Sequence, residues 1–137
     1  MFVSREYDYA IRIVRALSEE GLTINQISEK ENISYSNAFR IAQKLADSSL
    51  IKLYHGGGCE LIKPPASITL LDIYTAIEEE LVINECLIKD AVCPCPNNKS
   101  GKHCNVHTLL IGLQDHLANI LQSANMQAVL NNEIKLP

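Results

Sequence analysis

Apolar residues recur every three or four positions over residues 4–18, where Tyr7, Ala10, Ile11, Val14 and Leu17 share one side behind Ser4. That spacing predicts a helix with the serine as N-cap and Gly21 past its end. Thr23, with Gln26 three residues on, reads as a capping box for a short second helix, T-I-N-Q-I-S-E-K, carrying Ile24 and Ile27 inward. E-N-I is a turn. Ser34 then opens a third helix with Ala38, Ile41, Ala42 and Leu45 as its buried stripe. Tyr35, Ser36, Asn37, Arg40, Gln43 and Lys44 are left outward.

The period then changes to two. L-I-K-L-Y-H, Gly56-Gly57-Gly58 and C-E-L-I-K alternate apolar and polar positions on both sides of a glycine turn, which predicts a β-hairpin. Pro64-Pro65 ends it. A fourth helix follows, I-T-L-L-D-I-Y-T-A-I-E-E-E, capped near Ser67 or Thr69, with Leu70, Ile73 and Ile77 inward. Over residues 105–130, Leu109, Leu110, Leu113, Leu117, Ile120, Leu121 and Ala124 predict one long amphipathic helix.

Helix, short helix, turn, helix, hairpin is the order of a winged helix-turn-helix. The expected fold is therefore mainly α with a small β-hairpin: a winged helix-turn-helix domain plus a long C-terminal dimerisation helix. In that architecture the third helix enters the major groove and the hairpin presses against adjacent backbone. The expected division is a DNA-binding domain over 1–83, a cysteine-rich loop over 84–104 and a dimerisation helix over 105–130. The last apolar stripe is too long for so small a domain to cover. A homodimer on a palindromic operator in double-stranded DNA would bury it.

Charge sharpens this picture. The net charge is −4, yet residues 1–65 hold eight basic and eight acidic residues, so the excess lies in the second half. On the third helix, Arg40, Lys44 and Ser36 bunch on one side ahead of the hairpin, the pattern expected of a DNA-contacting face. Arg40 suits guanine edges, and Tyr35, Ser36 and Lys44 suit phosphates. Arg5 would add a backbone contact. No apolar run approaches the roughly 18 residues of a membrane span. The amino terminus is charged and lacks the apolar stretch of a signal peptide, so a cytoplasmic protein with reduced thiols is expected. No nucleophile–base pair or paired-carboxylate pocket is evident, and the three glycines lack the following Lys-Ser/Thr of a phosphate loop, so no enzyme is expected.

Four of the five cysteines, Cys86, Cys93, Cys95 and Cys104, fall within 19 residues, and His107 follows three positions later. Thiolates of this density, spaced by prolines, glycine and polar residues, read as a ligand set. Soft donors suit an iron–sulfur cluster. A closed Cys/His zinc site and a metal-free thiol switch are the other readings, and Cys93-x-Cys95 is tighter than the usual zinc spacing. Cys59, in the hairpin, reads as a small apolar filler.

The residues resemble the IscR/NsrR/CymR group of bacterial winged-helix regulators over nearly the whole chain. Y-x-Y-A-I-R, I-S-Y-S-N-A-F-R-I-A-Q-K-L, G-G-G-C-E-L-I-K-P-P, I-T-L-L-D-I-Y-T-A-I-E-E and C-N-V-H-T-L-L carry the likeness. It implies a homodimeric transcriptional regulator, read as a repressor. Its implied signal is redox, nitric oxide or iron–sulfur status, sensed through a 2Fe–2S or 4Fe–4S cluster. By the resemblance Cys86 is the first ligand and Cys104 the third. The second is Cys93 or Cys95, and the fourth is the spare cysteine, His107 or Asp8 from the partner subunit. The implied DNA contacts are Arg5, Thr23, Tyr35, Ser36, Asn37, Arg40, Lys44, His55 and Gly57. The wing departs from the family pattern, with Tyr54-His55 before the glycines and Cys59 after them. Phe39 stands where a polar or acidic residue is common. A cluster-free regulator of cysteine metabolism acting with a partner protein, and a zinc-stabilised protein-interaction module, are the alternatives.

Overall fold

The structure, a computed structural model, describes residues 3–90 and 104–135. Helix α1, Arg5–Leu17, starts where the sequence predicts, with the Ser4 hydroxyl accepting from the Tyr7 amide at 3.1 Å. It packs against four other helices, so its buried arc is wider than a single stripe. Ile13 and Ala16 are therefore buried, while Ile11, expected inward, sits at the edge.

Two-residue strand β1, Leu22–Thr23, leads into α2, Ile24–Glu31. Thr23 and Gln26 form the expected capping box, and Asn32 ends the helix in the left-handed conformation. Helix α3, Tyr35–Asp47, is capped by Ser34 and buries Ala38, Ile41, Ala42 and Leu45, all four as expected. Strands β2, Ile51–Leu53, and β3, Gly58–Leu61, form the hairpin. The sheet has a third member, in the order β1-β3-β2, antiparallel throughout, with Leu22 opposite Cys59 and Ile51 opposite Leu61.

A 3₁₀ turn at Pro65–Ser67 precedes α4, Leu70–Glu78. Thr69 and Asp72 cap α4 reciprocally, and Ile73, Tyr74 and Ile77 face the core. Leu70, expected inward, is half-buried at its start. A second 3₁₀ turn, Glu85–Leu87, follows, and then α5, Asn105–Ser123, and α6, Met126–Leu130.

The helix expected over 105–130 is thus two helices. The break has a hydrogen-bonding cause. The first amides of α4 lack partners within their own helix, and the Leu70 amide donates to the Ala124 carbonyl at 2.8 Å. The Met126 amide donates to the Ile68 carbonyl at 2.8 Å, and Asn125 caps α6. This bridge drives Met126 into the core, where it is fully buried with Ile68. Met126→Ala should destabilise the fold by about 2–5 kcal/mol, the usual cost of emptying such a site. Denaturant unfolding checks this, and a loss well below that range would mean α6 is only loosely docked.

Candidate nucleic-acid interface and cysteine segment

The outward surface of α3 divides into two flanks. Tyr35 and Phe39, one turn apart, are exposed and stacked, with ring centroids 6.4 Å apart and 15° between planes. Arg40 and Lys44, also one turn apart, make the other flank with Asn37. Ser36 and Gln43 lie between them, both exposed. Arg40 donates through Nη2 to Asn37 Oδ1 at 3.0 Å. Through Nη1 it pairs with Glu6 of α1, whose other oxygen accepts from Lys44 Nζ at 3.0 Å. The hydrogen bond from Arg40, then that from Lys44, holds the Glu6 carboxyl below its ordinary range. The sequence gives no sign of Glu6, because its partners lie 34 and 38 residues away.

Beside α3 stands the hairpin. Its turn needs two left-handed residues, and Gly56 and Gly57 supply them with φ of +102° and +97°. The Tyr54 amide donates to the Gly58 carbonyl at 2.7 Å, and the Ile24 amide to the Gly57 carbonyl at 2.9 Å. The second bond ties the wing to the start of α2, where Thr23 sits exposed. His55 is exposed at the wing tip. Lys52 Nζ lies 4.9 Å from the centre of the Tyr54 ring, and the Tyr54 hydroxyl bonds Glu60. Cys59 fills the hairpin's inner side as expected: it is buried, and burial pushes its thiol up to about 11, so it stays protonated.

Arg5 is exposed at the first residue of α1. Asp8, one turn on, is also exposed and pairs with Arg12 at 3.3 Å. Arg12 continues to Glu31, the buried acid at the end of α2, with Nε 3.3 Å from its carboxylate and Nη2 on its carbonyl. Arg15 reaches the same carboxylate at 3.3 Å. Two guanidiniums thus offset an acid placed at the unfavourable end of a helix dipole.

Of the cysteine segment, Cys86 and Cys104 lie within the described residues, and Cys93 and Cys95 outside them. Cys86 belongs to the Glu85–Leu87 turn, which packs on α5, and its sulfur accepts from Asn84 Nδ2 at 3.1 Å. Cys104 is the N-cap residue of α5, with its carbonyl accepting from the Thr108 amide at 3.0 Å. Both thiols are half-buried, as is His107 in the first turn of α5. Among the described residues no three His, Cys, Asp or Glu side chains converge, so Asp8 is not gathered with Cys86, Cys104 and His107. The donors that are described are of the kinds that suit iron and sulfide: two half-buried thiols, and an imidazole three residues along the chain from one of them.

Along α5 no residue is buried, although Val106, Leu109, Ile111 and Leu113 are large, apolar and exposed. The helix is held to the rest by α4 and by the Ile83 amide donating to Gln114 Oε1 at 3.0 Å. No helix among the described residues is long and apolar enough to cross a membrane.

A helix with its polar face turned out, crossed by a short capped helix and flanked by a glycine-tipped hairpin, is the winged helix-turn-helix of a DNA-binding regulator. Comparison narrows the class. The chain matches the Rrf2 family model, described as an iron-dependent transcriptional regulator, over residues 3–132, and it belongs to that family. It is 25% identical over 119 residues to the HTH-type transcriptional regulator IscR of Photorhabdus laumondii, covering 85% of this chain and 69% of the relative. It is 25% identical over 132 residues to the putative HTH-type transcriptional regulator YwgB of Bacillus subtilis, covering 90% of this chain and 81% of that one. Relatives of this kind are transcriptional regulators, not enzymes. Among solved structures, CymR, the global cysteine regulator of B. subtilis, superposes with a TM-score of 0.73 at 21% identity, over 96% of this chain and 97% of CymR. T. potens IscR superposes with a TM-score of 0.73 at 17% identity, over 96% and 88%. These two likenesses speak for the fold.

Proposed function

We propose that the protein is a homodimeric regulator that binds a two-fold-related operator and whose affinity is set by an iron–sulfur cluster. The observation that carries this reading is the placement of the two described segment thiols. Cys104 opens α5, the helix with the uncovered apolar face, and Cys86 sits on a turn packed against that same helix. With Cys93 or Cys95 they form a thiolate set, completed by the spare cysteine, His107, or Asp8 of the second copy. A bound cluster would supply a centre reactive toward oxidants and nitric oxide. Ligation through Cys86 and Cys104 would pin the 85–87 turn to the first turn of α5. Since α5 is the proposed dimer helix, its placement sets the separation of the two α3 helices.

At the DNA, Arg40 is assigned to base reading and Lys44, Ser36, Tyr35 and Asn37 to the surrounding backbone and groove. Arg5, Thr23, and the wing residues His55 and Gly57 are assigned to flanking phosphates. Phe39, exposed beside them, suits apolar contact with a thymine methyl.

Anaerobic purification with iron and sulfide quantification tests the cluster. The expected protein is brown, with both elements present. Cys86→Ser and Cys104→Ser should each lose them and Cys59→Ser should keep them; Cys93→Ala and Cys95→Ala should both lose them if the spare cysteine is the fourth ligand, and only one of the two if His107 or Asp8 is. A colourless protein with one zinc per chain would support the zinc-stabilised module. A colourless, metal-free protein that still binds operator would support the cluster-free regulator.

A further inference from the structure

Arg40 and Lys44 carry the positive charge that α3 presents to DNA, and one acid holds both. Glu6 divides its carboxylate between them, one oxygen on Arg40 Nη1 and the other on Lys44 Nζ at 3.0 Å. All three side chains face solvent, with exposures of 51% for Arg40, 38% for Lys44 and 30% for Glu6. The carboxylate therefore occupies the outer edge of α3 where a phosphate oxygen would sit, and presents the same charge and acceptor geometry. It lowers the edge from two positive charges to one.

We propose that Glu6 is an internal competitor for DNA phosphate, and that it lowers the affinity of α3 for DNA of any sequence. The inference rests on the DNA-binding reading above. On arbitrary sequence, Lys44 and Arg40 would exchange a carboxylate for a phosphate, which gains little. At the operator Arg40 gives up the same carboxylate for a bidentate contact with a base edge, so Glu6 lowers operator affinity as well. Glu6 thus tunes overall DNA affinity without touching a base.

The test is Glu6→Gln, which keeps the shape and removes the charge. Both proteins are titrated against a random-sequence duplex and against an operator selected from a random pool, across a salt series. The variant is expected to bind the random duplex about three- to tenfold more tightly, consistent with two exposed pairs. Its salt dependence should steepen by roughly one unit, and operator binding should tighten to a similar degree. Lys44→Gln should weaken random-duplex binding little in the native background, but cancel most of the gain in the Glu6→Gln background. Unchanged or weaker random-duplex binding by Glu6→Gln, with the salt slope unmoved, would overturn the proposal. Wild-type protein that binds no duplex at all would instead defeat the regulator reading.

Discussion

Leu109→Asp will turn the protein into a monomer and remove its operator binding. Leu109 is 70% exposed in the single chain, and Val106 and Leu113 beside it are 61% and 49% exposed. These three share one side of α5, a 19-residue helix with no buried position. Covering a leucine side chain is worth about 1.5–3 kcal/mol. In a two-fold interface each position counts on both sides, so the stripe supplies a large share of the association energy. Aspartate there would set two like charges into a desolvated seam. The effect on DNA compounds, because two half-sites bound by one linked pair gain about 10²–10⁴ over separate binding. Sedimentation at micromolar concentration and operator titration check both parts. A variant that remains a dimer would place the interface elsewhere.

Arg40→Ala should be the most damaging single change on α3. A bidentate arginine–base contact is worth about 1–3 kcal/mol of discrimination, and the dimer would use it twice. Operator affinity should fall about 100-fold or more, while random-sequence binding falls far less. Half-exposed Arg40 lies outside the core, so stability should move by no more than about 0.5 kcal/mol. Equal losses on operator and random DNA would reassign Arg40 to phosphate contact.

The elements that local chemistry specifies were legible in the sequence. Ser4, Thr23 and Ser34 cap the helices they were expected to open, and of the two candidates Ser67 and Thr69 it is Thr69 that caps α4, because each cap is satisfied within three residues. The glycine turn was readable for the same reason. Features that depend on distant partners were not. Strand β1 is two residues long and exists through pairing with β3, so it leaves no alternation to detect. The break after Ser123 depends on Ile68 and Leu70 offering backbone partners more than fifty residues earlier. Ile13 is buried because α1 has neighbours on several sides, which a single-stripe reading of its period misses.

The functional surface divides in the same way. The outward set on α3 followed from periodicity, and the filler role of Cys59 from its place in the hairpin, far from the other four cysteines. The Glu6 pairs with Arg40 and Lys44, and the Arg12–Glu31–Arg15 cluster, join residues far apart in the chain and have no local signature. Cys86 and Cys104 stand at the elements that border the segment. The choice between Cys93 and Cys95 rests on the substitutions described above.

Ligation at the cysteine segment is proposed to control DNA affinity. The direct measurement is operator affinity of cluster-loaded and cluster-free protein, prepared anaerobically and titrated at one salt concentration. A difference of about 5- to 150-fold is expected, the usual range for coupling between two sites, and it should disappear in Cys104→Ser. Equal affinities for the two forms would contradict it.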